Sequence, residues 1–316
     1  MTKRWLIIAT NNDYFKNGTP NFYKSKNAIF KSGSRTHKTE LEILKRYKAS
    51  LKAIDKQLSD LFLKATKNGK IDSGLLTYAE INKANELNVN LSSIKSRLKS
   101  MHNYNNDTTV KSLERLSRDS YAYAKNLASK SLKIVNPSKI DYPNIASKNV
   151  VNGLQKSGQT LATQTAKAKS YYPDKTILKL RQAFLKEGGA SLSEILSITR
   201  NALNSDAGNM TTLLRSNATR VANETNTLVY NTINKTPNLM SKTKAGNIET
   251  SEVMRKVWNH TSGQDNPRES HIKADGQIAI DGFFNVDGQM VEAPGYFGEP
   301  KNDYNCLCYI TYAVEK

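Results

Sequence analysis

Leu41, Leu44, Tyr47, Leu51, Ile54, Leu58 and Leu61 recur at intervals of 3, 3, 4, 3, 4 and 3. That spacing gathers them on one side of a helix, whereas a strand would scatter them over both of its faces. Asn68-Gly69 then provides a left-handed stop for the helix. A second stripe follows in Leu87, Leu91, Ile94, Leu98 and Met101, spaced 4, 3, 4 and 3. Two such seams with a break between them predict an antiparallel helical hairpin. The run His102-Asn103-Tyr104-Asn105-Asn106 reads as the end of the second helix. Asp107 reads as the N-cap of a third, which would use Val110, Leu113, Leu116, Ala124 and Leu127.

Beyond the hairpin the helical signals are interrupted. Pro137 and Pro143 mark a connection over 135–145, and residues 145–170, rich in Ala, Ser, Gln, Thr and Lys, make at best a weakly anchored helix. Pro173 suits a first helical turn, from which Ile177, Leu180 and Phe184 lead to a stop at Gly188-Gly189. Ser191 and Glu194 form a capping-box pair for a helix through Leu203. A further helix is predicted over 209–234, carrying Leu213, Leu214, Val221, Leu228 and Ile233.

The pattern changes near residue 250. Asp-Gly pairs at 275–276, 281–282 and 287–288 mark tight turns, Val253–Trp258 reads as a strand or short helix, and Tyr309–Val314 is β-prone. The fold class is therefore α+β: a mostly helical N-terminal and middle part with a long helical hairpin, then a small C-terminal α+β module with β-hairpins. The divisions expected are an irregular arm over 1–35, a helical hairpin domain over 36–135, a helical middle segment over 136–248 and the C-terminal module over 249–316.

Charge separates the same two regions. The chain carries 47 Lys and Arg against 28 Asp and Glu, a formal net charge of +19. Residues 251–316 hold six basic and ten acidic residues, net −4, so the first 250 hold 41 against 18, net +23. A basic helical part joined to a slightly acidic module points to a polyanion partner, read here as double-stranded DNA bound without sequence preference. Arg46, Lys48 and Lys52 flank the first stripe, and Lys95, Arg97 and Lys99 the second; these six are the DNA-contact candidates. No segment approaches the roughly 20 apolar residues of a membrane span, so no membrane partner is expected. A phosphate-binding loop, dinucleotide fingerprint, HExxH and GxSxG are all absent from the sequence, so no enzyme activity is expected.

The candidate site residues lie in the C-terminal module: Trp258, Asp265, Arg268, His271, Asp275, Gly276, Asn305, Cys306 and Cys308. Cys306 and Cys308, the two cysteines of the chain, are too close for an unstrained disulfide, which favours a reducing compartment. Two uses remain open for them. They pack as small apolar groups while Arg268 and His271 bond the Asp275-Gly276 turn, or they join His271 in a zinc site completed by Asp275 or His260. The first reading implies no cofactor. A metal- or Cys/His-dependent enzyme in this module is the functional alternative.

The order Lys-Val-Trp258, Asp265-Asn-Pro-Arg268-Glu-Ser-His271, Ala274-Asp275-Gly276, Phe284, Pro294-Gly295 and Asn305-Cys-Leu-Cys308 resembles the phage Mu F-like minor head proteins, also called phage head morphogenesis proteins. Upstream, Glu187–Glu194 and Arg215–Glu224 are similar to the Gly-Ser helix start and the Arg-Thr-Glu helix of that family, with either Arg220 or Glu224 alignable to the triplet. The likeness covers about 180–312; Leu307 and Ala274 stand where the family has Arg and Leu. The resemblance implies a structural virion protein present in several copies, partnered by the portal and other head proteins. It further implies a role in head morphogenesis and genome delivery, with the protein in the head interior or portal vertex and, during assembly, in the host cytoplasm.

Overall fold

The computed structural model describes residues 5–7, 35–65, 75–76, 86–131, 161–187, 189–235, 254–260, 267–303 and 306–315. The chain is α+β and mostly helical, with short antiparallel strands in its C-terminal part. The long helices are α1 (Arg35–Ala65), α2 (Glu86–Ser131), α3 (Leu161–Leu185) and α4 (Leu192–Lys235). The C-terminal part adds the short helices α5 (Glu269–Lys273) and α6 (Pro300–Asp303). Among the described residues, no helix is long and apolar enough to cross a membrane. The chain divides into two compact units, residues 39–109 with 162–211, and residues 1–38 with 110–161 and 212–316.

In the first of these units α1 and the start of α2 form the expected antiparallel hairpin. Gln57 donates to Asn90 Oδ1 at 3.0 Å and Arg46 to Asn105 Oδ1 at 3.3 Å, so positions advance along one helix as they recede along the other. Tyr47, Ile54, Leu58 and Leu61 are buried, but Leu41 is 51% exposed, and Ile43 and Phe62 take core positions absent from the predicted stripe. The second seam, Leu87 to Met101, is buried throughout. Phe62 meets Phe184 of α3, and Arg200 of α4 donates to Asp55 of α1 at 3.0 Å. Ser191 caps α4, its Oγ accepting from Glu194 N at 3.1 Å. It also lies in the two-residue strand β3 (Ala190–Ser191), which pairs antiparallel with β2 (Leu75–Leu76).

Three sequence expectations need correction. The run His102–Asn106 is not a break, and Asp107 is not an N-cap, because α2 continues through both. The seam changes from apolar to polar at that point without leaving the core. His102, Asn105 and Thr109 are fully buried, Tyr47 Oη lies 3.5 Å from His102 Nδ1, and Asp206 Oδ2 lies 3.7 Å from His102 Nε2. Burial, and after it the Asp206 carboxylate, push the Tyr47 phenol far above its ordinary value, so it stays neutral. Pro173 is likewise inside α3, which begins twelve residues earlier at Leu161 in a stretch of good helix formers. The two helices expected to end at Leu203 and to start near 209 are the single helix α4, in which Asn204–Gly208 is helical. The Asn68-Gly69 stop and the 135–145 connection lie outside the described residues.

In the second unit, strands β1 (Trp5–Ile7), β7 (Tyr309–Glu315) and β4 (Met254–Asn259) form an antiparallel sheet in the order β1-β7-β4. Part of the arm expected to be irregular is thus a strand, with Trp5 opposite Glu315 and Ile7 opposite Ala313. An apolar Trp-Leu-Ile run beside the open edge of β7 has a ladder to join. β4 pairs with β7 from Met254↔Val314 to Asn259↔Tyr309. A hairpin of β5 (Phe284–Val286) and β6 (Gln289–Val291) closes through Asp287-Gly288. Both turn residues have positive φ, 54° and 81°, as does the Asp281-Gly282 pair at 49° and 83° between bridged Ile280 and Phe283. This is the two-residue turn whose twist matches the strands it joins.

Asn103→Pro tests the continuity of α2. A proline inside a helix costs about 3 kcal/mol or more, whereas a loop would absorb it with little loss. The expected outcome is a drop of that size in unfolding free energy by urea titration; an unchanged midpoint would restore the break.

Candidate functional site

Trp258 on β4 lies at the centre of the C-terminal module. It is fully buried, with Ala274, Ala279, Phe284, Val286, Val291, Ala293, Phe297, Cys306, Cys308 and Ile310 in the same cluster. β4 is buried on both faces here: Lys256 and Trp258, two apart, share one face, and Val257 between them is buried on the other. Segment 274–280 runs beside β4, with Trp258 N bonded to Gln277 O and Gly276 N to Trp258 O, each at 2.9 Å. Asp275 Oδ1 accepts from His260 N at 2.7 Å, which ties the first Asp-Gly turn to the end of β4.

His271 projects from α5 into this core. Its ring stacks on Phe297, with centroids 5.0 Å apart and planes 9° apart, and meets Trp258 edge to face at 5.5 Å. Its Nδ1 lies 3.6 Å from Cys306 Sγ and 3.6 Å from Cys308 Sγ. All three ligand atoms fall within 4.8 Å of one another, and the three residues are at most 2% exposed. A hydrogen bond with the Cys308 thiol, aided by the His271 imidazole, holds the Cys306 thiol well below the ordinary cysteine value against the opposing effect of burial. Both cysteines are free thiols.

The sequence expectation that His271 bonds the Asp275-Gly276 turn needs correction. His271 directs Nδ1 at the sulfurs, while Arg268 donates from Nε to the Lys301 carbonyl at 2.6 Å. The turn is held by backbone bonds of β4 and by its own aspartate. Asp275 and His260 do not join the converging set. Asp265 and Asn305 lie outside the described residues.

Residues from α4 complete the module, and the most consequential of them, Asn223, carries no motif. It is fully buried; its Nδ2 donates to Pro294 O at 3.1 Å and Cys308 O at 3.3 Å, while its Oδ1 accepts from Ile310 N at 3.2 Å. Arg220 and Glu224, alternatives in the sequence alignment, both face Tyr296. Tyr296 donates to Glu224 Oε2 at 2.6 Å, and the Arg220 guanidinium lies 5.7 Å from its ring centroid. Gly295 has φ +85°, and a Cβ there would come within 3.0 Å of Arg220 Cγ, so Pro294-Gly295 marks the close approach of a loop to α4. Asp303 was also missed: its two carboxylate oxygens accept from Phe297 N at 2.9 Å and Gly298 N at 3.0 Å. Burial raises its pKa in spite of those bonds.

The six basic candidates separate by environment. Arg46 is committed to its own unit, paired with Glu42, bonded to Asn105 and Thr108, and set over the Tyr104 ring at 3.5 Å. Lys95 pairs with Asp174 at 2.6 Å. Lys99 is half-buried, whereas Lys48, Lys52 and Arg97 are exposed. Lys45 and Lys56, which the sequence reading did not single out, are exposed on the same α1 face as Lys48 and Lys52.

Asn223→Ala is expected to cost about 2–3 kcal/mol, because a buried backbone group left unsatisfied costs about 1–3 kcal/mol and this change strands groups in two segments. Asn223→Asp should be comparably damaging, since a carboxylate cannot donate to the Pro294 and Cys308 carbonyls. Urea unfolding followed by Trp fluorescence measures both; a loss under about 0.5 kcal/mol would contradict the bridging role. No family model, curated protein or solved structure matches this chain.

Proposed function

We propose that this chain is a minor head protein of a tailed bacteriophage, a structural virion component associated with the portal and packaged DNA that acts in head morphogenesis and genome delivery. The observation that carries the reading is the convergence of the dispersed motif. Trp258, His271, Phe284, Cys306 and Cys308 build one core, and Asp275-Gly276 and Pro294-Gly295 form the turns that clamp it to β4 and α4. A motif whose every described member has a place in holding one module together belongs to a scaffold.

The alternative, an enzyme working through His271 and the cysteines, is less well supported. A nucleophile or general base must reach its substrate, and these three groups are buried under Phe297 and Trp258. The basic part fits contact with DNA. Lys45, Lys48, Lys52 and Lys56 recur at intervals of 3, 4 and 4 on one exposed helix face, which suits phosphates and reads no base sequence. The acidic module, net −4 over residues 251–316, is the docking unit toward portal and head proteins.

The deciding experiment is quantitative mass spectrometry of particles released on induction of a host that carries the gene, before and after genome ejection. The protein is expected in purified particles at a copy number near that of the portal and far below that of the shell protein. Its absence from particles would overturn the reading. For the DNA contact, affinity for arbitrary duplexes should fall steeply with salt. Lys48→Glu with Lys52→Glu should lower the slope of log affinity against log salt by about 2, one per lost phosphate contact, equally for unrelated sequences.

A further inference from the structure

We propose that His271, Cys306 and Cys308 bind a zinc ion that locks the C-terminal module. The geometry is that of a ligand set. With Zn–S of about 2.3 Å, Zn–N of about 2.0–2.1 Å and a tetrahedral angle near 109°, a ligating sulfur and nitrogen lie about 3.6 Å apart. Both sulfurs lie 3.6 Å from His271 Nδ1. Cysteines two apart at the entry to a strand project to one side, and α5 brings the imidazole to meet them.

Two sulfurs at one distance from the imidazole nitrogen are placed as a shared central ion would hold them. Charge points the same way. Zn²⁺ displaces the two thiol protons to solvent, and two thiolates with a neutral imidazole make an electrically neutral buried centre. Soft thiolates and an imidazole select zinc over the oxygen-seeking magnesium and calcium. The described residues supply three of the four ligands of a structural site, buried beyond the reach of a substrate. The ion would cross-link α5 to the segment leading into β7, closing a loop of more than 30 residues.

Cobalt substitution and metal analysis of the full-length chain test this without depending on a variant that folds. Purified under reducing conditions from zinc-supplemented medium, the wild type should carry about one zinc per chain, and chelation should lower its Tm. Replacing zinc with Co²⁺ should give a near-ultraviolet sulfur-to-cobalt charge-transfer band with visible absorption of tetrahedral intensity. Cys306 and Cys308 are the two cysteines of the chain, so such a band assigns the site by itself. Cys306→Ser, Cys308→Ser and His271→Ala should each reduce bound zinc below about 0.1 equivalent where they fold. A wild type that neither carries zinc nor takes up Co²⁺, or zinc bound with no charge-transfer band, overturns the assignment. This outcome is separate from the virion reading, which particle composition decides.

Discussion

Asn223 stands fully buried on α4, in the middle of a helix, where an amide side chain has no business unless its neighbours need it. Three backbone groups do. The carbonyls of Pro294 and Cys308 lie outside the strands, the N–H of Ile310 lies in β7, and one amide serves all three. The rest of the C-terminal module depends on that bridge. It holds the 294–295 loop against the helix, where only glycine fits beside Arg220, and it sets the chain leading into β7. Once β7 is placed, its ladder with β4 aligns Trp258 opposite Ile310, and the two sulfurs face His271.

The same device recurs along the helices. The core of the second half of α2 and of α4 is built largely from Ser, Thr and Asn: Ser117, Ser120, Asn217, Thr219, Asn223, Thr225 and Asn226 are all buried. Two of these groups bond their own helix. Thr225 Oγ1 donates to Val221 O at 2.7 Å and Asn217 Nδ2 to Leu213 O at 2.8 Å, both to the preceding turn. Small polar residues that bond their own helix cost little to bury and let neighbouring backbone come close. Such a core has a weaker hydrophobic drive per residue than one of leucines, which gives cross-links between segments more weight in this protein. A metal tying α5 to the entry of β7 would be one such cross-link.

The parts of this structure legible in the sequence are those where one residue type can do only one thing. The leucine seam from Leu87 to Met101, the Ser191 cap, the Asp-Gly turns with positive φ and the β-prone strand at 309–315 all follow from local chemistry. The prominence of Trp258, His271, Cys306 and Cys308 was legible too, because such residues in so polar a segment are costly unless they are gathered. What misled was polarity taken as exposure. His102–Asn106 and Asn204–Gly208 look like breaks, yet both lie inside continuous helices, and the first run is packed in the core, where Tyr47 meets His102 and Arg46 donates to Asn105.

By itself the sequence determined the fold class, the helical hairpin, the turn positions, the split between a basic body and an acidic module, and the set of residues worth watching. The reason is that periodicity, backbone preference and net charge are properties of the chain, readable without knowing what touches what. Only the tertiary structure decided where helices truly end, that Asn223 bridges two segments, that both Arg220 and Glu224 face Tyr296, and that the imidazole meets both sulfurs at one distance. The last three depend on groups between 35 and 87 positions apart being brought within contact or ligating range. No local propensity encodes that distance, because it is set by how the whole module packs.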